Sequence, residues 1–252
     1  MTKLVPVFPY PFMLLKGKSS MLIVGDTHFG IEEDLKKKGI SGINITNTFI
    51  DEVKYVKKET GAEEILFLGD IKNELDLKPE SESLIKEIIN SMKEMFERIV
   101  IIKGNHDGNI EHIITEKVEI YPSTGFTYNN IGFFHGHAWP DENVVNQKIL
   151  VSGHVHPGIG LLKFNGKIEV KKCFAIGKAN TKNLEKHYGK GKAKVKKIIL
   201  VPAWNKYTGN SILNNPIKSQ KGIVMKNNLL NINETKIYLL DSTYLGTLPF
   251  IH

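Results

Sequence analysis

The chain has 252 residues, of which 41% are hydrophobic and 24% charged, and its formal net charge is +7. This composition is ample for a globular core and excludes a disordered protein, and we expect one domain over residues 1–252. The single cysteine, Cys173, excludes a disulfide framework and a cysteine-based zinc site, so any metal must be bound by His, Asp, Glu or Asn. No apolar run reaches the roughly 18 residues of a membrane helix, and we expect a cytoplasmic protein without membrane contact.

Three short apolar runs in the first half of the chain predict buried strands. They are residues 21–25, 65–69 and 99–103. Between the first two, Phe49, Val53 and Val56 recur at helical spacing within residues 44–59, and a second apolar stripe runs from Leu84 to Phe96 before the third. The order βαβαβ predicts a parallel sheet.

The second half of the chain predicts strands without long helices between them. The runs are residues 131–134, 149–153, 168–176, 197–201 and 236–240. A second sheet, rich in antiparallel pairs, is therefore expected. Residues 181–196 contain glycine and show no apolar period, which predicts a flexible loop.

Polar side chains follow five of the predicted strands. The segments are Asp26-Thr27-His28, Gly69-Asp70, Gly104-Asn105-His106-Asp107, His135-Gly136-His137 and Gly153-His154-Val155-His156. Ligands of α/β folds bind at such strand ends, and glycine lets the backbone come close to an ion. Three oxygen ligands and up to five imidazoles are too many for one ion. They suit two ions that share a carboxylate, roughly 3.5–4 Å apart as in two-metal hydrolases.

This set of segments resembles the five signature blocks of the calcineurin-like metallophosphoesterase superfamily, D-x-H, G-D, G-N-H-[D/E], H-G and G-H-x-H. The resemblance implies a mixed α/β fold, a four-layer α-β-β-α sandwich of two mixed sheets flanked by helices. It implies one metal site formed by Asp26, His28, Asp70 and His156. It implies a second site formed by Asp70, Asn105, His135 and His154, with Asp70 as the bridge.

The same resemblance assigns a catalytic role to one further histidine. His106 matches the superfamily's non-ligand histidine, which meets the scissile phosphate. The ligand of the fourth block is the histidine before glycine, which leaves His137 as a contact near the metals or the substrate. Asp107 would orient either the turn or His106.

A narrower group is indicated by Gly153-His154-Val155-His156-Pro157 and by Val201-Pro202-Ala203-Trp204 with the later Gly209. These segments resemble the compact phosphoesterases of archaea and bacteria related to the SbcD nuclease, which include DNA-ligase-associated phosphodiesterases.

The predicted activity is hydrolysis of small or nucleic-acid phosphodiesters. Two divalent ions would lower the pKa of a shared water from about 15.7 toward about 7. His106 would either protonate the leaving alkoxide or stabilise the charged transition state. Imidazole and carboxylate ligands favour Mn²⁺, Fe²⁺, Zn²⁺ or Ni²⁺ over Mg²⁺ or Ca²⁺. Of these ions, we expect Mn²⁺ to support activity. One alternative is a phosphomonoesterase on the same site. The other is a catalytically inactive scaffold, and the complete set of blocks disfavours only this second alternative.

Twelve lysines and only two acidic residues lie within residues 163–197, so the positive charge of the chain is concentrated there. One interpretation of this lysine-rich segment is a surface that binds the phosphate backbone of nucleic acid. The other is a solvated face in a chain that uses Arg98 as its single arginine.

Overall fold

The computed structural model describes residues 2–75, 79–114 and 117–251 of the chain. Two β-sheets dominate these ranges. The first sheet has six strands in the spatial order β1 to β6. They are β1 (Lys3–Val7), β2 (Phe12–Lys16), β3 (Met21–Val24), β4 (Glu64–Phe67), β5 (Arg98–Ile102) and β6 (Glu119–Tyr121).

Strands β3, β4 and β5 are parallel, which confirms the predicted βαβαβ core. The hairpin of β1 and β2 extends this sheet antiparallel to β3, and it was not predicted. Pro6 lies inside β1, and proline in an apolar run argues against a strand unless the strand is at an edge. β1 is that edge strand.

Three helices accompany the first sheet: α1 (Ile31–Lys37), α2 (Ile45–Thr60) and α3 (Pro79–Met95). The Asn44 side chain accepts the N–H of Asn47 at the start of α2, and Gly61 ends the helix with φ of 66°. Both long helices lie where the apolar periodicity predicts them.

The second sheet follows the order β13-β10-β11-β12-β9-β8-β7, and β14 pairs with both β11 and β15. It is mixed, because β8, β9 and β12 are parallel neighbours whereas β10, β11 and β12 are antiparallel. The strands are β7 (Phe126–Tyr128), β8 (Ile131–Phe134), β9 (Ile149–Ser152), β10 (Pro157–Leu162), β11 (Ile168–Lys178), β12 (Lys197–Leu200), β13 (Ser211–Ile212), β14 (Lys236–Leu239) and β15 (Tyr244–Thr247).

Shorter helices accompany the second sheet. They are α4 (Glu142–Val145), α5 (Thr181–Tyr188) and α6 (Gly222–Lys226), with 3₁₀ turns at Ile110–His112, Ile232–Glu234 and Leu248–Phe250. The prediction of a flexible loop over residues 181–196 was therefore wrong for its first half. Asn180 caps α5 through the N–H of Asn183, and Leu184 is its one buried residue, so the helix is too short to show an apolar period.

Alternating residues of the central strands supply different apolar layers. Leu22 and Val24 of β3 pack with the residues of α2 and α3, whereas Met21 and Ile23 face the second sheet. A third layer lies between the second sheet and its helices. Strands buried on both faces explain the continuous apolar runs of the sequence. The result is the expected sandwich of two mixed sheets between helices.

The layer shared by the two sheets supports the one-domain prediction for residues 1–252, which stays a prediction. Within the described ranges, no helix combines the length and the apolar character needed to cross a membrane.

Candidate metal centre

The predicted ligands lie on tight turns directly after β3, β4, β5, β8 and β9. Five of them have positive φ: Asp26 (55°), His28 (43°), Asp70 (51°), His154 (62°) and His156 (48°). Residues other than glycine rarely adopt this conformation, and it persists only where the surrounding structure enforces it. Such strain gathered at one edge of the sheets marks this region as a functional site.

Two glycines let these turns approach each other closely. A Cβ atom on Gly69 would lie 2.2 Å from His135 Nδ1, and one on Gly104 would lie 2.1 Å from Asp70 Oδ1. Any side chain at either position would displace a predicted ligand.

The Asp70 carboxylate lies between two groups of side chains. Its Oδ1 accepts the backbone N–H of His106 at 2.9 Å. Its Oδ2 is 3.6 Å from His28 Nε2 and 3.3 Å from His135 Nε2. Burial opposes ionisation, but His135 holds the pKa of Asp70 well below its usual range.

The buried Asp26 carboxylate joins the two ends of the Gly-His-x-His turn. Its Oδ1 is 3.1 Å from His156 Nε2, and both of its oxygens accept the backbone N–H of His154, at 3.2 and 3.0 Å. Burial again opposes ionisation, whereas His156 lowers the pKa of Asp26.

Backbone carbonyls fix the orientation of two imidazoles. His135 Nδ1 is 2.8 Å from the Leu68 carbonyl, and His156 Nδ1 is 2.9 Å from the Gly209 carbonyl. A carbonyl only accepts, so both Nδ1 atoms donate to it, and the Nε2 atoms face the Asp70 and Asp26 carboxylates.

Several buried ring nitrogens have no hydrogen-bond partner in the described part of the chain. They include Nε2 of His28, His135 and His156 and Nδ1 of His137 and His154. Orphaned buried polar atoms are rare, and in a cluster of imidazoles and carboxylates they are suited to a metal ion.

The structure brings most of the predicted residues together. Three groups place their ligand atoms within 4.8 Å of one another: Asp26, His28 and His156; His28, Asp70 and His106; and Asp70, His135 and His154. Asn105 is exposed on the turn between Gly104 and His106. The His137 ring lies 5.2 Å from that of His135 and 5.8 Å from that of His154, beside the third group.

His106 is held by the loop that follows β4. Its Nδ1 is 2.6 Å from the Asn73 carbonyl, and its ring centre is 4.9 Å from that of His28. Lys72, a buried lysine, donates from Nζ to the carbonyls of Glu74 and Leu75 and so holds that loop.

Asp107 orients the turn rather than the His106 ring. Its Oδ1 accepts the N–H groups of Ile71 and Lys72 at 2.9 and 3.2 Å, and its Oδ2 accepts that of Gly104 at 2.8 Å. This buried carboxylate therefore joins the loops after β4 and β5. The alternative that the sequence left open is settled by these contacts.

The segment after β12 supports the centre in a way that sequence analysis missed. Asn205 Nδ2 donates to the Thr27 carbonyl at 2.8 Å. Lys172 Nζ donates to the carbonyls of Ala203, Trp204 and Asn205 at 2.6, 3.2 and 2.7 Å, and burial lowers the pKa of Lys172 to about 8. The sequence did offer a signal for this contact, because Asn205 is a polar residue that follows the apolar run of residues 197–201.

Electrostatics divides the histidines into two kinds. Burial lowers the pKa of His28 to about 4 and that of His154 to about 3. Burial also disfavours charge on His135, but the Asp70 and Asp26 carboxylates outweigh it and raise the pKa of His135 to about 9.

Comparison with known proteins adds a family and a fold. Residues 20–216 match the family described as calcineurin-like phosphoesterase. Among solved structures, the chain resembles the nuclease MPE of Pseudomonas putida with a TM-score of 0.54 at 15% sequence identity, over 95% of this chain and 98% of that chain. At this identity the likeness shows the fold alone. No curated protein matches the sequence.

Proposed function

Because the chain belongs to the calcineurin-like phosphoesterase family, we propose that it is a dinuclear metal-dependent phosphodiesterase acting on small or nucleic-acid diesters. The observation that carries this proposal is the position of Asp70 Oδ2, between His28 Nε2 and His135 Nε2. A carboxylate between two sets of imidazoles is what two ions with a shared ligand require.

The donor set suits two divalent ions. One would be held by Asp26, His28, Asp70 and His156, and the other by Asp70, Asn105, His135 and His154. The orphaned ring nitrogens support this assignment, because a bound ion would satisfy them. So do the carbonyls behind His135 and His156, since ligating histidines commonly donate their other N–H to such a group.

Bound divalent ions supply an activated water at neutral pH and offset the charge of the phosphate. The chain itself supplies the proton for the leaving group. The Nδ1–H group of His106 donates a hydrogen bond to the Asn73 carbonyl. The proton given to the departing alkoxide would therefore be a second one, carried on Nε2. Because a backbone contact already fixes the ring, little conformational entropy is lost when His106 is oriented toward the substrate.

We propose manganese as the activating ion, with Fe²⁺, Ni²⁺ and Zn²⁺ as alternatives. Imidazole nitrogens make up most of the donor set, which disfavours Mg²⁺ and Ca²⁺, ions that prefer oxygen ligands.

The lysine-rich segment supports nucleic-acid diesters as substrates. Of its lysines, Lys182, Lys186 and Lys190 are exposed on and beside α5 and form no ion pair in the described part of the chain. Asn183 of the same helix donates to the carbonyls of Asn227 and Asn228, at the end of α6. The Pseudomonas putida neighbour is named as a nuclease, in keeping with this substrate class.

The test is the initial rate of hydrolysis of an aryl phosphodiester and of the matching monoester with Mn²⁺. We expect turnover of the diester that a chelator and Asp70→Asn both abolish, and that Asp51→Asn on the exposed face of α2 leaves intact. Monoester turnover alone would identify a phosphomonoesterase. A metal-loaded protein that hydrolyses neither ester would contradict the proposal and point to a binding scaffold.

A further inference from the structure

Lys221 lies at the metal centre but belongs to none of the signature segments. It lines a cavity of about 400 Å³ together with His28, His156 and Asn73. The family match ends at residue 216, so Lys221 lies beyond it. Its neighbour in sequence, Lys218, is exposed.

The backbone around Lys221 is fixed against the turns of the site. The N–H of Ile223 donates to the Gly136 carbonyl at 2.8 Å. A Cβ atom on Gly222 would lie 2.9 Å from that carbonyl oxygen and 3.0 Å from His154 Cδ2. The position of Lys221 relative to the metal ligands is therefore set by the fold.

The half-buried ammonium group of Lys221 has no carboxylate at ion-pair distance among the described residues. Burial lowers its pKa, and the more distant Asp26 and Asp70 carboxylates oppose this effect. Those two carboxylates are the proposed ligands, and they do not balance the charge of two divalent ions. A lysine so placed requires an anion other than these ligands.

A second polar group in the same cavity lacks a partner. Asn210 lines the cavity, and its Oδ1 is buried without a hydrogen bond in the described part of the chain. Rotation of the Asn210 amide by about 180° around its Cβ–Cγ bond would exchange Oδ1 and Nδ2 and present the NH₂ group to an anion in the cavity.

We propose that Lys221 binds a phosphate oxygen of the substrate in this cavity, beside the metal ions. The inference rests on the proposed phosphoesterase function. Lysine is a point charge on a flexible stem, so it suits one oxygen of a phosphate whose remaining oxygens face the metal side. Lys221 would then be a binding residue that raises affinity for the ester and for the phosphate product.

The experiment is calorimetric titration of the Mn²⁺-loaded protein with inorganic phosphate, for wild type, Lys221→Gln, Lys221→Arg and the exposed control Lys218→Gln. We expect Lys221→Gln to weaken phosphate binding about tenfold or more, the usual loss of a charge-assisted hydrogen bond. Lys221→Arg should restore most of the affinity, Lys218→Gln should match wild type, and manganese content should be the same in all four.

Kinetics on two substrates identify which phosphate Lys221 contacts. An equal fall in kcat/KM for a one-phosphate aryl diester and an oligonucleotide would place Lys221 at the scissile phosphate. A fall for the oligonucleotide alone would place it at a neighbouring phosphate. Unchanged phosphate affinity in Lys221→Gln would overturn the inference even if ester turnover persists. Lys221-dependent phosphate binding without ester turnover would instead reject the proposed function.

Discussion

Three imidazoles of the centre, those of His106, His135 and His156, contact a backbone carbonyl through one ring nitrogen. Leu68, Asn73 and Gly209 provide backbone carbonyls for His135, His106 and His156. The outer nitrogen therefore donates to a carbonyl, and the inner nitrogen is directed at the site, where it can bind a metal or transfer a proton. The different roles proposed for His106 and His135 depend on the neighbours of each ring. His135 Nε2 is 3.3 Å from Asp70 Oδ2, whereas His106 contacts the Asn73 carbonyl through Nδ1.

Replacing His106 separates these roles. We expect His106→Ala to lower kcat about 10²–10⁴-fold, the usual contribution of a general acid, and to leave two manganese ions per chain. Initial rates and metal analysis of the same samples measure both. Loss of one ion would make His106 a ligand, as its place beside His28 and Asp70 allows.

The pKa of His135 predicts proton release on metal binding. The metal-free protein carries a second proton on the His135 ring at pH 7, because the pKa of His135 is raised to about 9. His28 and His154, with pKa values of about 4 and about 3, are already neutral. Metal affinity should therefore rise with pH until about pH 9, since ligands must be deprotonated.

Calorimetry of Mn²⁺ binding at pH 7, in buffers of different ionisation enthalpy, counts the released protons. We expect about one per chain. No release would mean that His135 is neutral before the metal binds.

At the scale of elements, the turn after β5 is positioned by contacts with the loop after β4. Asp107 accepts three backbone N–H groups from these two loops. An asparagine has one acceptor oxygen and would leave at least one of these buried groups without a partner.

We expect Asp107→Asn to lower the free energy of unfolding by about 1–3 kcal/mol. It should also lower kcat, because His106 lies on the same turn. Urea unfolding of the metal-free protein measures the first effect, with the exposed Asp51→Asn as the control. Equal stability of the two variants would show that the hydrogen bonds accepted by Asp107 contribute nothing to stability.

The sequence predicts those parts of the site that depend on local pattern. A glycine and a polar residue after an apolar run located the turns at Asp70, Asn105 and His154, because the carboxyl ends of neighbouring parallel strands meet at one edge of each sheet. It does not reveal Lys172, Asn205 or Lys221. These residues reach the centre through pairing of the second sheet and through the segment after β12, and neither depends on a local pattern.

At the scale of the whole molecule, the lysine-rich segment of the second sheet is only partly available to a polyanion. Lys163 and Lys171 pair with Glu169, and Lys192 pairs with Glu142. Lys178 pairs with Glu234, and the half-buried Lys172 donates to backbone carbonyls of the protein itself. Seven lysines of the segment are exposed and form no ion pair among the described residues: Lys167, Lys182, Lys186, Lys190, Lys194, Lys196 and Lys197. Three of them, Lys182, Lys186 and Lys190, lie on and beside α5.

Neutralising Lys182, Lys186 and Lys190 together to glutamine tests this surface. We expect weaker oligonucleotide binding, with the slope of log affinity against log salt concentration reduced by roughly 2. Cleavage of a small aryl diester should not change. The matched control neutralises Lys36, Lys37 and Lys86, which form ion pairs within α1 and α3. Equal losses in both triple variants would show general charge attraction rather than a binding surface.

The most direct measurement of the central claim is aryl diester hydrolysis by metal-free protein during stepwise addition of Mn²⁺, with bound metal counted in parallel. The account predicts that activity saturates when two ions per chain are bound. It also predicts that Asp70→Asn prevents both binding and activity. Full activity with a single bound ion, or two bound ions without hydrolysis of any phosphate ester, would contradict it.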